Sequence, residues 1–142
     1  WVKQMKSVEA ERDFIKTSLA NFGSGKSLNL LIWYRGQYAG NISFNTINSE
    51  NHSADIGYLL GQDFQHLGIM HRSVAALLAI GFTEYQLEKI VIKAATGNQP
   101  SNQVIQKLGL HHDGIERHAE VINQQWLDLN VYSILKSEWQ HA

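Results

Sequence analysis

The sequence predicts a single α/β domain built on a mixed sheet, and three observations carry that expectation. First, "ADIGYLL" (54–60), the glycine-containing "FQHLGIM" (64–70), a helix-period stretch from Met70 to Tyr85 and the β-branched run "KIVIKAA" (89–95) follow one another as strand, turn, helix and strand. Such a crossover normally makes its two strands parallel neighbours in one sheet. Second, apolar alternation at Leu127, Leu129, Val131, Ser133 and Leu135 marks another strand near the C-terminus. Third, 142 residues at 44% hydrophobic can bury one core but are short for two ordinary domains.

Each element has its own signal. Ser7 can cap a helix whose residues Phe14, Ile15, Ser18, Leu19 and Phe22 fall at three-to-four spacing, and "GSG" (23–25) ends it. "LNLLIWY" (28–34), the turn "RGQ" and "YAGNISF" (38–44) are rich in aromatic and β-branched residues and read as a hairpin. The polar stretch "NTINSENH" (45–52) reads as a loop before the strand 54–60. Met70, Val74, Leu77, Leu78, Gly81, Phe82 and Tyr85 trace one face of a helix of about four turns. In "TGNQPSNQVIQKLGL" (96–110), Asn98 is placed to cap a short helix, Pro100 lies in its first turn and Gly109 is the left-handed residue that closes it. A strand near 114–122, a turn "NQQW" (123–126) and the alternating strand after it complete the sheet.

Composition narrows function. Twelve basic and thirteen acidic residues give a net charge of −1 with no long run of either sign, so there is no electrostatic footprint for nucleic acid or an anionic membrane surface. An anionic ligand would have to be held locally. The chain has no cysteine, which removes disulfides, thiolate nucleophiles and cysteine-ligated metals and fits a cytoplasmic protein. No segment approaches the ~18 apolar residues of a membrane span. Of the seven histidines, His111 and His112 are adjacent and His66 and His71 are five apart. Neither pair has the helix-face spacing of a zinc motif, and no metal is expected. Trp33 and Trp126 are read as core or dimer contacts rather than as platforms for a substrate.

The junction at Gly68 is the strongest local signal. The first N–H groups of a helix lack internal partners, and with the helix dipole they form an anion site. A glycine lets that backbone approach a ligand, so the amides of Gln65, His66, Leu67, Gly68, Ile69, Met70 and His71 could ring a phosphate with little side-chain charge. A plain strand-to-helix turn would need the same glycine.

Three ordered blocks weigh on that choice. "QHLGIM" (65–70) resembles the Q/R-x-x-G-x-G/A pyrophosphate signature of the GNAT family, the Gcn5-related N-acetyltransferases. "GNQPSNQVIQKLGLHHDGIERH" (97–118) resembles the family's G-N-x-x-S block, with Leu110 for the usual Phe and Asp113 for the usual Glu. "DLNVYSILKSEW" (128–139) is similar to the closing D-x-x-x-Y-S-x-L-x-x-E-W of its RimJ/RimL branch, the ribosomal-protein N-terminal acetyltransferases.

The resemblance implies the GNAT fold: a single domain over 1–142, its mostly antiparallel sheet splayed at a parallel strand pair and flanked by helices. Family members carry a further strand and helix before the point that Trp1 matches, which this domain is expected to lack. It also implies acetyl transfer from acetyl-CoA to a primary amine by direct attack, most of all to the N-terminal α-amine of a protein such as a ribosomal protein. A small amine (a polyamine, an amino sugar or a drug) or a CoA-binding module without catalysis are the alternatives. A homodimer is the expected assembly.

For the site, the resemblance implies pantetheine paired to the strand 55–60, with the Leu59 or Leu60 amide near the acetyl carbonyl. Asn98 caps its helix and would also touch the cofactor. Many relatives place a tyrosine, as donor to the departing thiolate, where this chain has Ile105. Ser101 matches the serine that RimL-type members use instead, and Glu120 matches a carboxylate near the acceptor amine that could take its proton through water. A helix-start serine bonded to local backbone, and an exposed strand carboxylate, are the plainer readings of these two residues.

Overall fold

The computed structural model describes residues 27–140. The helix expected from Ser7 to Phe22 lies outside the described residues. The elements are β1 (Leu28–Tyr34), β2 (Gln37–Asn48), β3 (Ser53–Leu60), α1 (Ile69–Thr83), β4 (Lys89–Ala95), α2 (Gln99–Lys107), β5 (His111–Ile122), β6 (Gln125–Leu135) and α3 (Lys136–Gln140). A 3-10 turn, Gln62–Phe64, stands between β3 and α1.

The six strands form one sheet in the order β1-β2-β3-β4-β6-β5. Among the described residues, only β3 and β4 run parallel; every other neighbouring pair is antiparallel. The crossover through α1 therefore does what its sequence pattern predicts. Alternation is visible in β1, where Leu28, Leu30 and Ile32 are buried between exposed residues. These side chains join Phe44, Ile56, Ile90 and Ile92 from the sheet, Val74, Leu77 and Phe82 from α1, and Ile105 from α2 in one core.

Several boundaries differ from the sequence reading, among them the start of β5 at His111 rather than near 114 and the end of α1 at Thr83 rather than Tyr85. β2 continues through Asn48, so half of the expected loop 45–52 is strand: Thr46, Ile47 and Asn48 pair with Asp55, Ala54 and Ser53 after a register shift. Polar side chains hid it, because that end of the strand is exposed and its ladder is held by backbone. The last turn is also tighter than "NQQW". Asn123 and Gln124 alone make it, both with positive φ, while Gln125 and Trp126 already pair with β5. That is the geometry two-residue hairpins favour. Trp126 is thereby taken out of the core: it is 60% exposed and stacks on His118 at 5.6 Å. Trp33 is half-buried against the core, edge-on to Tyr38.

Gly40 lies where the end of β3 crosses β2. A Cβ there would run into the Leu59 carbonyl, so glycine is what permits the close approach of these strands beside the parallel pair.

Candidate active site

β3 and β4 begin as neighbours, from Ser53 opposite Lys89 to Ile56 opposite Ile92, and then part. Gly57 to Leu60 stay on β2, while Lys93 to Ala95 stay on β6. The facing edges of 57–60 and 93–95 are left without a strand between them. α2 starts at this opening. Its N-cap Asn98 donates its own N–H to the Ala95 carbonyl (2.9 Å), and its side-chain oxygen accepts from the Ser101 N–H (3.3 Å). Gly109 closes the helix with φ 81°.

One cleft of about 410 Å³ opens on the helix side. It is lined by Leu59 and Leu60 from β3, by Gln65, His66 and Gly68 from the turn, by Ile69, Met70 and His71 from the first turn of α1, and by Asn98 and Ser101 from α2. Leu67 does not line it and is an exposed apolar side chain. Lys107, at the last turn of α2, brings a cation to the same cleft, a contribution the sequence reading missed.

Gly68 is the N-cap of α1 with φ 74°, a left-handed conformation that costs a residue with a Cβ about 1 kcal/mol or more. No side chain caps this helix end, and a Cβ on Gly68 would point into open space. The residues of this first turn, Ile69, Met70 and His71, line the cleft. An extended ligand with an anionic group fits here: amides for the anion, and the unpaired edge of β3 for a chain of amide groups.

A second cleft, of about 400 Å³, is walled by strands. Asp55, Lys93 and Glu120 are its charged side chains, and Ile122, Leu127 and Leu129 are among its apolar ones. Asp55 is held by the Thr46 N–H (3.0 Å) and the Asn45 side-chain amide (3.4 Å). Lys93 pairs with Glu116 at 2.8 Å; both side chains are over 40% exposed, so this pair adds little to stability. Glu120 sits on β5 opposite Leu127, beyond a register shift that follows Glu116.

Three residues line both clefts: Tyr58, Asn98 and Ser101. The Tyr58 hydroxyl is 2.7 Å from Ser101 Oγ and also within reach of the Ser101 carbonyl, at 3.3 Å. Burial pushes the Tyr58 phenol above its usual range, against the opposing effect of the Ser101 hydrogen bond, so the group stays protonated. Ile105 is fully buried in the core and away from both clefts. Tyr58, which lines both clefts, is a further residue that the sequence reading missed.

Asn102 fixes where α2 begins. Only 7% exposed, it uses its whole hydrogen-bonding capacity. Its Nδ2 donates to the carbonyls of Ala95 (2.9 Å) and Asn98 (2.7 Å), and its Oδ1 accepts from Tyr132 OH (2.7 Å) and Asn130 Nδ2 (2.9 Å). Because both Nδ2 partners are carbonyls, the direction of every later bond follows. Asn130 must donate with its nitrogen, so its Oδ1 accepts from His112 Nε2 (2.9 Å), which must carry a proton. One amide thus ties the end of β4, the cap of α2 and β6 together, one residue from Ser101. Asn102→Ala is expected to destabilise the fold by about 1.5 kcal/mol, read from denaturant unfolding, because two carbonyls, an amide and a phenol lose their buried partner.

Among the described residues, no three His, Cys, Asp or Glu side chains cluster where they could hold a metal ion, and no helix is long and apolar enough to cross a membrane.

Comparison with known proteins places this geometry. The family described as the acetyltransferase (GNAT) domain matches residues 1–111. The Escherichia coli (strain K12) ribosomal-protein-serine acetyltransferase is 30% identical over 133 residues, covering 94% of this chain and 74% of that protein. The Bacillus subtilis (strain 168) protein YdaF is 34% identical over 107 residues, 75% of this chain, and the match spans 58% of its length. Among solved structures, the ribosomal L7/L12 α-N-protein acetyltransferase RimL in complex with coenzyme A superposes with a TM-score of 0.76 at 32% identity, over 92% of this chain and 73% of that one. The microcin C7 self-immunity acetyltransferase MccE, in complex with acetyl-CoA and AMP, gives a TM-score of 0.75 at 33% identity, over 87% and 68%.

Proposed function

The chain belongs to the GNAT acetyltransferase family, and on that premise we propose that it transfers the acetyl group of acetyl-CoA to the N-terminal α-amine of a protein, such as a ribosomal protein. The observation that carries the reading is the meeting of two clefts at Tyr58, Asn98 and Ser101. One cleft suits an anionic, amide-bearing chain and the other, with Asp55 and Glu120, suits an amine. The relatives named for ribosomal-protein acetylation support the protein acceptor.

Acetyl-CoA supplies an activated acyl group whose thiolate can leave. This chain's residues bind, orient and move protons around it. The first-turn amides from Gly68 to His71 hold the anionic end, and the Leu59 and Leu60 edge of β3 aligns the chain toward Ser101. Ser101 offers a hydroxyl to the sulfur, and Glu120 takes the amine's proton through water. A weak, water-mediated base of this kind suits an α-amine. With a pKa near 8, such an amine is about a tenth neutral at pH 7, at a cost of roughly 1.4 kcal/mol, whereas a lysine near 10.4 costs about 4.6 kcal/mol.

Free-thiol release from acetyl-CoA with a panel of N-terminal seryl peptides, polyamines and amino sugars tests the reading. Turnover of the peptides above the small amines supports it. Preference for a small amine replaces the acceptor, and CoA binding without turnover of any amine makes the chain a binding module.

Glu120→Gln is expected to lower kcat/KM about tenfold at pH 6.5 and by less than threefold at pH 9, where an α-amine is already mostly neutral. An equal loss across that range would place Glu120 in acceptor binding instead.

A further inference from the structure

We propose that Tyr58 is a positioning residue that donates its phenolic proton to Ser101 Oγ and so aims the serine proton at the sulfur of CoA. The inference rests on the reading of Ser101 as the group that meets the departing thiolate, and it extends that role to a residue on the opposite wall of the opening. A lone serine hydroxyl is a rotor with one proton and two lone pairs, and in a helix it tends to turn back onto local backbone. Here Oγ is instead engaged across the gap between β3 and α2, by the Tyr58 hydroxyl at 2.7 Å.

The direction of that bond follows from acidity. A phenol is a far stronger acid than an alkyl alcohol and the alcohol oxygen is the better acceptor, so a short bond between them runs from Tyr58 to Ser101. The competing acceptor of the Tyr58 proton, the Ser101 carbonyl, is farther away at 3.3 Å. With a lone pair of Oγ occupied, the serine proton is the group left to point into the space where both clefts meet. Donation into Oγ also polarises the serine O–H and makes it a stronger donor in turn.

The step balances without forming a tyrosinate or an alkoxide. The amine nitrogen bonds to the acetyl carbon, the carbon–sulfur bond breaks with its electron pair on sulfur, and the thiolate is held by the Ser101 O–H. The proton lost by nitrogen through Glu120 and water matches the one the thiolate later takes from water. Burial serves this design by keeping the Tyr58 phenol protonated into the alkaline range.

The test reads the thiol of bound CoA directly, so it needs no acceptor. Thiolate absorbance of the CoA complex is titrated against pH for wild type, Tyr58→Phe, Ser101→Ala and the double variant, with CoA affinity measured by calorimetry on each. Phenylalanine keeps the ring packing, so the fold and the affinity are expected to hold to within about threefold. Each single variant is expected to raise the bound thiol's pKa by about half a unit or more, since a hydrogen bond to the charged form is lost. The double variant should lie no higher than Ser101→Ala, because Tyr58 acts through that hydroxyl. A Tyr58→Phe titration that coincides with wild type, while Ser101→Ala is shifted, overturns the proposal and leaves the serine's role standing. Additive shifts overturn it as well, by making Tyr58 an independent donor. Unshifted titrations in both single variants overturn this proposal together with the reading of Ser101.

Discussion

Glutamate in place of Gly68 is expected to weaken acetyl-CoA binding about a hundredfold, roughly 2.7 kcal/mol, in a protein that still folds. Two effects combine. The left-handed φ of 74° costs a side-chain-bearing residue about 1 kcal/mol, which is felt in the helix start and in the placement of the first-turn amides. The larger effect is charge: a carboxylate within about 4 Å of a phosphate, at the effective dielectric of a protein surface, is repelled by up to about 4 kcal/mol before the side chain swings aside. Apart from its own chain neighbours, no described residue comes within 4 Å of the Cβ position, so the new side chain enters open space rather than core. Gly68→Ala separates the two contributions, since it shares the strained φ and lacks the charge; it should lose less than about tenfold. Calorimetry on both variants, with thermal melts to confirm folding, decides the matter. Unchanged affinity in a folded Gly68→Glu would move the anion site away from this helix start.

How much of this was legible in the sequence depends on which physical signal each residue carries. Gly68 was legible because a turn between a strand and a strongly apolar helix has few solutions, and its left-handed φ is the backbone geometry that favours glycine. Asn98 was legible because capping is local: side chain and amide lie three residues apart. Tyr58 was not. It occupies the inward phase of β3 with Ala54 and Ile56, and alternation reads every such residue as core. What exposes Tyr58 to chemistry is the parting of β3 from β4 after Ile56, a long-range event with no mark in the strand's own pattern. Asn102 was hidden for a related reason. Its four partners come from β4, the cap of α2 and β6, and a polar residue on a short helix gives no sign that it is buried. Ile105 completes the contrast, because knowing that it cannot donate left open who supports Ser101. The answer comes from another strand.

Ser101→Ala is expected to lower kcat about ten- to three-hundredfold while leaving acetyl-CoA affinity within about twofold, because a hydrogen bond to sulfur that matters only as negative charge develops there contributes little to ground-state binding. The loss corresponds to roughly 1.4 to 3.4 kcal/mol, the range of one charge-assisted donor. The structure sharpens the alternative. The cap of α2 is the Asn98 side chain on the Ser101 main-chain N–H, which alanine retains, and the Ser101 hydroxyl reaches across to Tyr58 instead of bonding its own helix. Removing Oγ therefore costs one hydrogen bond between β3 and α2, about 1 kcal/mol of stability, and leaves the helix start intact. A structural serine would show that loss in the melt and none in the rate. A serine that meets the thiolate would show the rate loss even at temperatures where the variant is fully folded. With an N-terminal seryl peptide as acceptor and free thiol as the readout, kcat and melting temperature measured on one preparation separate the two. Wild-type kcat in a slightly less stable protein would leave the thiolate to depart unaided.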